Sequence, residues 1–206
     1  MLKGIKPLQP RDVIRGQFRG YRDEPGVNAN SRVETYVALR LEINSWRWKG
    51  VPFYIRAGKC LPLTTTEVLV KLRQPPAVFS EIAPPPNYFR FRVTPDLMIA
   101  VGALVKKSSD HIEAQQVELV ISEDSDPAEM GAYEELLFDA MRGNSARFAR
   151  QDYVEQAWRI VDPILDDVAP VYEYEPGTWG PSKVSGFTEP DGGWFIPSSR
   201  QRSDKI

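Results

Sequence analysis

The chain has 206 residues, 42% hydrophobic and 26% charged, with a formal net charge of −2. That is enough for one soluble globular domain, and it excludes a bulk electrostatic case for nucleic acid or an anionic membrane. No apolar run reaches the roughly 18 residues of a membrane span, the N-terminus lacks a secretory pattern, and the single cysteine, Cys60, cannot form an internal disulfide, so a reducing, cytoplasmic compartment is expected.

The first half alternates with period two. In "ETYVALRLEIN", Thr35, Val37, Leu39, Leu41 and Ile43 share one strand face, and Tyr36, Ala38, Arg40 and Glu42 share the other. "GVPFYIRAGKCLP" follows, a strand from Val51 to Ile55 that ends in Arg56, Gly58 and Lys59. "EVLVKLR" repeats the alternation with Val68, Val70 and Leu72. "PPAVFSEIAPPPN" reads as a proline-rich crossing, because proline cannot serve a central ladder. "YFRFRV", "LMIAVGALV" and "VELVIS" add three strands. Between the last two, the lone His111 in "SSDHIEAQ" reads as a solvated loop residue; after the last, "EDSD", 123–126, reads as a loop leading to a helix.

Periodicity then becomes helical. "DPAEMGAYEELLFDAMRG" predicts a helix capped by Asp126, with Met130, Tyr133, Leu136, Leu137, Ala140 and Met141 as an apolar stripe. "QDYVEQAWRIVDPILDDV" predicts a second, with Asp152 and Glu155 in capping-box spacing and Val154, Ala157, Trp158, Val161 and Leu165 facing the core. Pro163 should bend or split it. The Gly-, Pro- and Trp-rich tail is too aromatic for disorder and is expected to wrap over the domain. Strands followed by helices predict an α+β fold with a large, mainly antiparallel sheet. The mixed face of Tyr36, Arg40, Lys71, Arg73, Tyr88 and Arg90 suits either solvent or a partly polar interface.

Chemistry motifs are few. Neither G-x-G-x-x-G nor G-x-x-x-x-G-K-[ST] occurs. The pairs Glu134 and Glu135, or Asp166 and Asp167, fall on predicted helices, where adjacent side chains do not converge. No metal-ligand constellation stands out, and Cys60 reads as packing rather than nucleophile. Arg56 and Lys59, beside a glycine at a strand end, are the best anion candidates, and ordinary surface charge explains them as readily.

"VIRGQF", "GVPFYIRAGKCLP", "AYEELLFDAMRG" and "EPGTWGP" resemble the C-terminal domain of glucose-6-phosphate dehydrogenase, in order from about residue 11 to 196. The resemblance implies one domain over 1–206, with the coenzyme domain, its glycine-rich turn and the histidine base of the family absent from this chain. It implies no catalytic residue here and a homodimer through the sheet. It places Lys59 at the phosphate of glucose 6-phosphate, and Thr64 where the family usually has a second cation. Arg56, Arg92 and Trp194 match positions of a structural NADP site, while Thr65, Leu69 and Gly102 stand where that site has cations. No second nucleotide is therefore expected on this chain alone. Two other readings stay open, a non-enzymatic oligomerisation or regulatory module and one half of a split enzyme.

Overall fold

The computed structural model describes residues 1–76, 84–106, 114–122, 131–166 and 168–197. Its strands are β1 (Val13–Phe18), β2 (Tyr36–Glu42), β3 (Pro52–Gly58), β4 (Thr66–Lys71), β5 (Tyr88–Thr94), β6 (Met98–Lys106), β7 (Ala114–Ser122) and β8 (Val171–Tyr174). The helices are α1 (Ala132–Met141), α2 (Gln151–Val161) and the short α3 (Val184–Phe187). The fold is α+β and mostly antiparallel. The expected large sheet is, among the described residues, two four-stranded sheets, ordered β3-β2-β1-β8 and β4-β5-β6-β7. Among the described residues, only β8 runs parallel to its neighbour, β1. The chain divides into two compact units, Met1–Pro62 with Gly131–Trp194, and residues 63–130 with 195–206.

In the first unit, both sheet faces are used. Val13, Val37 and Leu39 pack with Ile5, Leu8 and Ile43, under Ile160 of α2 and Ile164 of the 3-10 turn after it. The opposite face buries Tyr36, Ala38, Tyr174 and Val184, with Phe187 and Trp194 against them. The aromatic tail thus wraps over its own sheet, as its composition suggests. Pro163 sits in the 3-10 turn Asp162–Ile164 that succeeds α2, so the helix stops at Val161 instead of bending.

In the second unit the faces are reversed from expectation. Register aligns Val68, Phe91, Ile99 and Ile121 in one row, and Val70, Phe89, Val101 and Leu119 in the next. These apolar rows point outward; Leu119 and Ile121 are each 67% exposed. The charged face is the covered one, since Arg90 and Arg92 are buried. They are tolerable there because they are paired. Arg90 forks onto Glu118, at 3.1 and 2.5 Å, and Arg92 donates to Glu67 at 2.9 Å. Tyr88 also donates to Glu118, at 2.8 Å. Tyr36 is only 2% exposed. Of the residues Tyr36, Arg40, Lys71, Arg73, Tyr88 and Arg90, the first two belong to one sheet, Lys71, Tyr88 and Arg90 to the other, and Tyr36 and Arg90 are buried.

The helices also depart from expectation. Asp126 and Met130 lie outside the described residues, and α1 starts after Gly131 with no side-chain cap. Tyr133, Leu137 and Met141 on its stripe are exposed, and Asp139 is buried instead. In α2, Asp152 and Glu155 form no capping box; they accept from Arg150 and Gln151. Val154 and Trp158 are exposed, and Ile160 supplies the buried contact. Amphipathic spacing identified these helices but not which face this chain covers. Asp166 is not helical either; it has φ 58°, in the turn beyond Ile164.

Candidate anion-binding site

β3 delivers Arg56 and Lys59 by different routes. Alternation turns Arg56 toward the aromatic side of the first sheet, with Tyr36 and Ala38. There its guanidinium lies 4.4 Å from the Trp179 ring centroid and 4.9 Å from that of Trp194. Cation–π attraction offsets part of the lost hydration. Burial pulls the Arg56 pKa below the usual arginine value, with Tyr36 acting the other way. Trp194 is fixed in turn, its indole N–H donating to the Val184 carbonyl at 2.9 Å.

Lys59 follows the last residue of β3, and its side chain is exposed. Its N–H donates to the Thr35 carbonyl at 2.8 Å. Its own carbonyl accepts from the Tyr174 hydroxyl at 2.7 Å. The next carbonyl, of Cys60, accepts from Gly177 N–H at 2.7 Å, and Cys60 has φ 52°. Gly58 is required because a Cβ there would sit 2.6 Å from Tyr36 Cδ2. The backbone under Lys59 is thus anchored on three sides while its ammonium is left in solvent.

Beside Lys59 opens a groove of about 630 Å3, lined by Arg15, Glu34, Val37, Leu39 and Leu165 among others. Arg15 is buried and donates to Glu34 at 2.7 Å and to the carbonyls of Asp166 and Ala169. Burial is the largest single influence on Glu34 and would raise its pKa, but the hydrogen bond from Arg15, one from the backbone of Glu34 itself and the Arg15 charge together outweigh it, so the carboxyl titrates below the usual range. The groove therefore carries a neutralised pair on its wall and one uncommitted cation type, lysine, at its rim. Among the described residues no His, Cys, Asp and Glu cluster could hold a metal ion.

The family model "Glucose-6-phosphate dehydrogenase, C-terminal domain" matches residues 1–195. The chain belongs to the glucose-6-phosphate dehydrogenase family. It is 38% identical over 203 residues to glucose-6-phosphate 1-dehydrogenase 1 of Mycobacterium tuberculosis, covering 96% of this chain and 42% of that protein. It is 39% identical over 219 residues to the Aggregatibacter actinomycetemcomitans enzyme, covering 96% and 44%. A crystal structure of glucose-6-phosphate 1-dehydrogenase from Mycobacterium avium superposes with a TM-score of 0.88 at 37% identity, over 97% of this chain and 43% of that one. A glucose-6-phosphate dehydrogenase solved with its substrate, glucose 6-phosphate, gives 0.78 at 27% identity, over 96% and 44%. The chain spans less than half the length of these relatives and matches their C-terminal domain.

Within this glucose-6-phosphate dehydrogenase domain, the structure brings Arg56 and Trp194 together. Arg92 belongs to the second unit, where Glu67 engages it. Thr64, also in the second unit, is exposed in the loop before β4. His111 lies outside the described residues. Trp179, Tyr174 and Thr35 carry no chemical motif in the sequence. "GTWGP" and the alternation of "VYEY" carry Trp179 and Tyr174, but only the parallel β1–β8 pairing takes Tyr174 to Lys59.

Proposed function

We propose that this chain is the C-terminal portion of a glucose-6-phosphate dehydrogenase and supplies scaffold, a subunit face and one substrate contact. The parent reaction moves hydride from C1 of glucose 6-phosphate to NADP while the C1 hydroxyl loses its proton, giving the lactone. The observation that carries the reading is Lys59, an exposed ammonium on an anchored backbone at the rim of the groove. An ammonium meets phosphate oxygens as a point charge. Thr64 would add one hydroxyl hydrogen bond and no charge. The outward apolar rows of the second sheet supply the homodimer face, in place of the mixed polar face. Cytoplasmic placement is supported by the lone thiol.

The structural nucleotide of the family does not fit the residues present. Arg92 is neutralised by Glu67, and the face of the Arg56 guanidinium is occupied by two indole rings, with which a nucleotide would have to compete. The chain alone is expected to hold no second NADP. The reading as a non-catalytic oligomerisation module draws support from Thr64 at a position where the family usually has a cation.

A charge-assisted hydrogen bond contributes about 1.5–3 kcal/mol. Millimolar binding already needs about 4 kcal/mol. Glucose 6-phosphate should therefore bind this chain weakly or undetectably in a heteronuclear NMR titration. Thr64→Lys should strengthen binding and Lys59→Ala should remove it. The chain alone should not reduce NADP with glucose 6-phosphate; turnover abolished by Lys59→Ala would refute the inactive scaffold.

A further inference from the structure

We propose that Tyr174 is a positioning residue for Lys59, setting where the ammonium presents itself to an anion. This rests on the reading of Lys59 as a phosphate contact. Of the three hydrogen bonds that fix residues 59 and 60, the bond from Tyr174 is the only one made by a side chain. Tyr174 is 4% exposed, at the end of β8. Its oxygen also lies 3.2 Å from Thr35 Oγ1, which accepts from Phe18 N–H at 2.9 Å. The Tyr174 hydroxyl lies 2.7 Å from the Lys59 carbonyl and 3.3 Å from that of Thr35; with its proton on the nearer one, the Thr35 hydroxyl is left to donate to Tyr174, giving a relay from Thr35 through Tyr174 to Lys59. Each bond polarises the next.

The ring and the hydroxyl have separable roles. The ring packs in the aromatic core, 5.5 Å from the Tyr36 ring centroid. A phenylalanine would keep that packing. What it would lose is the one donor to the Lys59 carbonyl among the described residues, at the point where the chain leaves β3 and turns through the left-handed Cys60. Releasing that peptide lets the Lys59 stem adopt more directions, and an anion contact then carries a larger ordering cost.

The test uses the whole 206-residue chain, with inorganic phosphate as probe and backbone amide order parameters as a ligand-free readout. Tyr174→Phe should lower order at Lys59 and Cys60 while the rest of β3 is unchanged, and should weaken phosphate binding at Lys59 about three- to tenfold. In a Lys59→Ala background the same change should have no effect on phosphate. Unaltered order at Lys59 in Tyr174→Phe would overturn the positioning role, as would equal weakening in both backgrounds. If Lys59→Ala leaves the phosphate response of the chain unaltered, the phosphate reading of Lys59 fails. The positioning role is then still decided by the order parameters.

Discussion

Tyr36 shows what a single residue can impose. It is 2% exposed and its hydroxyl has no hydrogen-bond partner. Gly180, at φ +105°, passes so close that a Cβ would lie 2.5 Å from Tyr36 Cζ. Burial pushes the phenol up to about 12, with the Arg56 charge opposing. Unfolded tyrosine ionises near 10, the lower of the two values. As pH rises from about 10 to about 12, the unfolded chain sheds a proton that the folded chain keeps, so stability falls with pH. The contribution is complete below the unfolded pKa and amounts to about 2–3 kcal/mol at most. Tyr54, Tyr88 and Tyr174 are also raised, burial first in each case, and steepen the same limb. Urea unfolding at about pH 9 and about pH 11 should show a smaller alkaline loss in Tyr36→Phe than in the unmodified chain.

At the scale of elements, β6 depends on a missing side chain. Gly102 faces Tyr88 across the ladder, and a Cβ there would fall 2.2 Å from the ring. Tyr88 cannot swing aside without leaving Glu118, which also holds Arg90. Gly102→Ala should cost about 1–3 kcal/mol by overpacking. Thermal unfolding would detect it, and Gly20→Ala, with nothing within 4 Å but a positive φ, is the control for backbone strain alone. Gly102 entered the sequence reading only as a place where a cation was missing. Strand alternation was legible, because a period of two survives in any sheet. What alternation could not say was which face is covered. Arg90 and Arg92 looked outward by chemistry and lie inward because Glu67 and Glu118 arrive from neighbouring strands. The helices failed for the converse reason: Leu137 and Trp158 have helical spacing, yet nothing in a local window tells whether a surface exists to meet them. Of the site, Lys59 and Arg56 were readable from the strand end. Tyr174 was not, because its approach depends on a pairing between distant segments.

For the molecule as a whole, the outward rows of the second sheet matter most. Val68, Phe91, Ile99, Ile121, Val70, Phe89 and Leu119 form a continuous apolar face, of the kind that marks an association surface. Sedimentation at micromolar concentration should show a dimer that Ile121→Glu or Leu119→Glu converts to monomer. Arg40→Glu, on the other sheet, should leave the dimer intact; a monomer at all concentrations would reject the apolar face as the subunit contact. The parallel pairing of β1 with β8 has a further bearing on how the chain is made. Arg15 must wait for Val171, so the first unit cannot close its sheet until the more than 150 residues between them have been made. The second sheet lies within a continuous stretch between those partners, and its antiparallel neighbours follow one another in sequence. It can assemble first, and its apolar face would then be displayed while synthesis continues, so that nascent chains on one messenger could meet through it before either has finished its first unit.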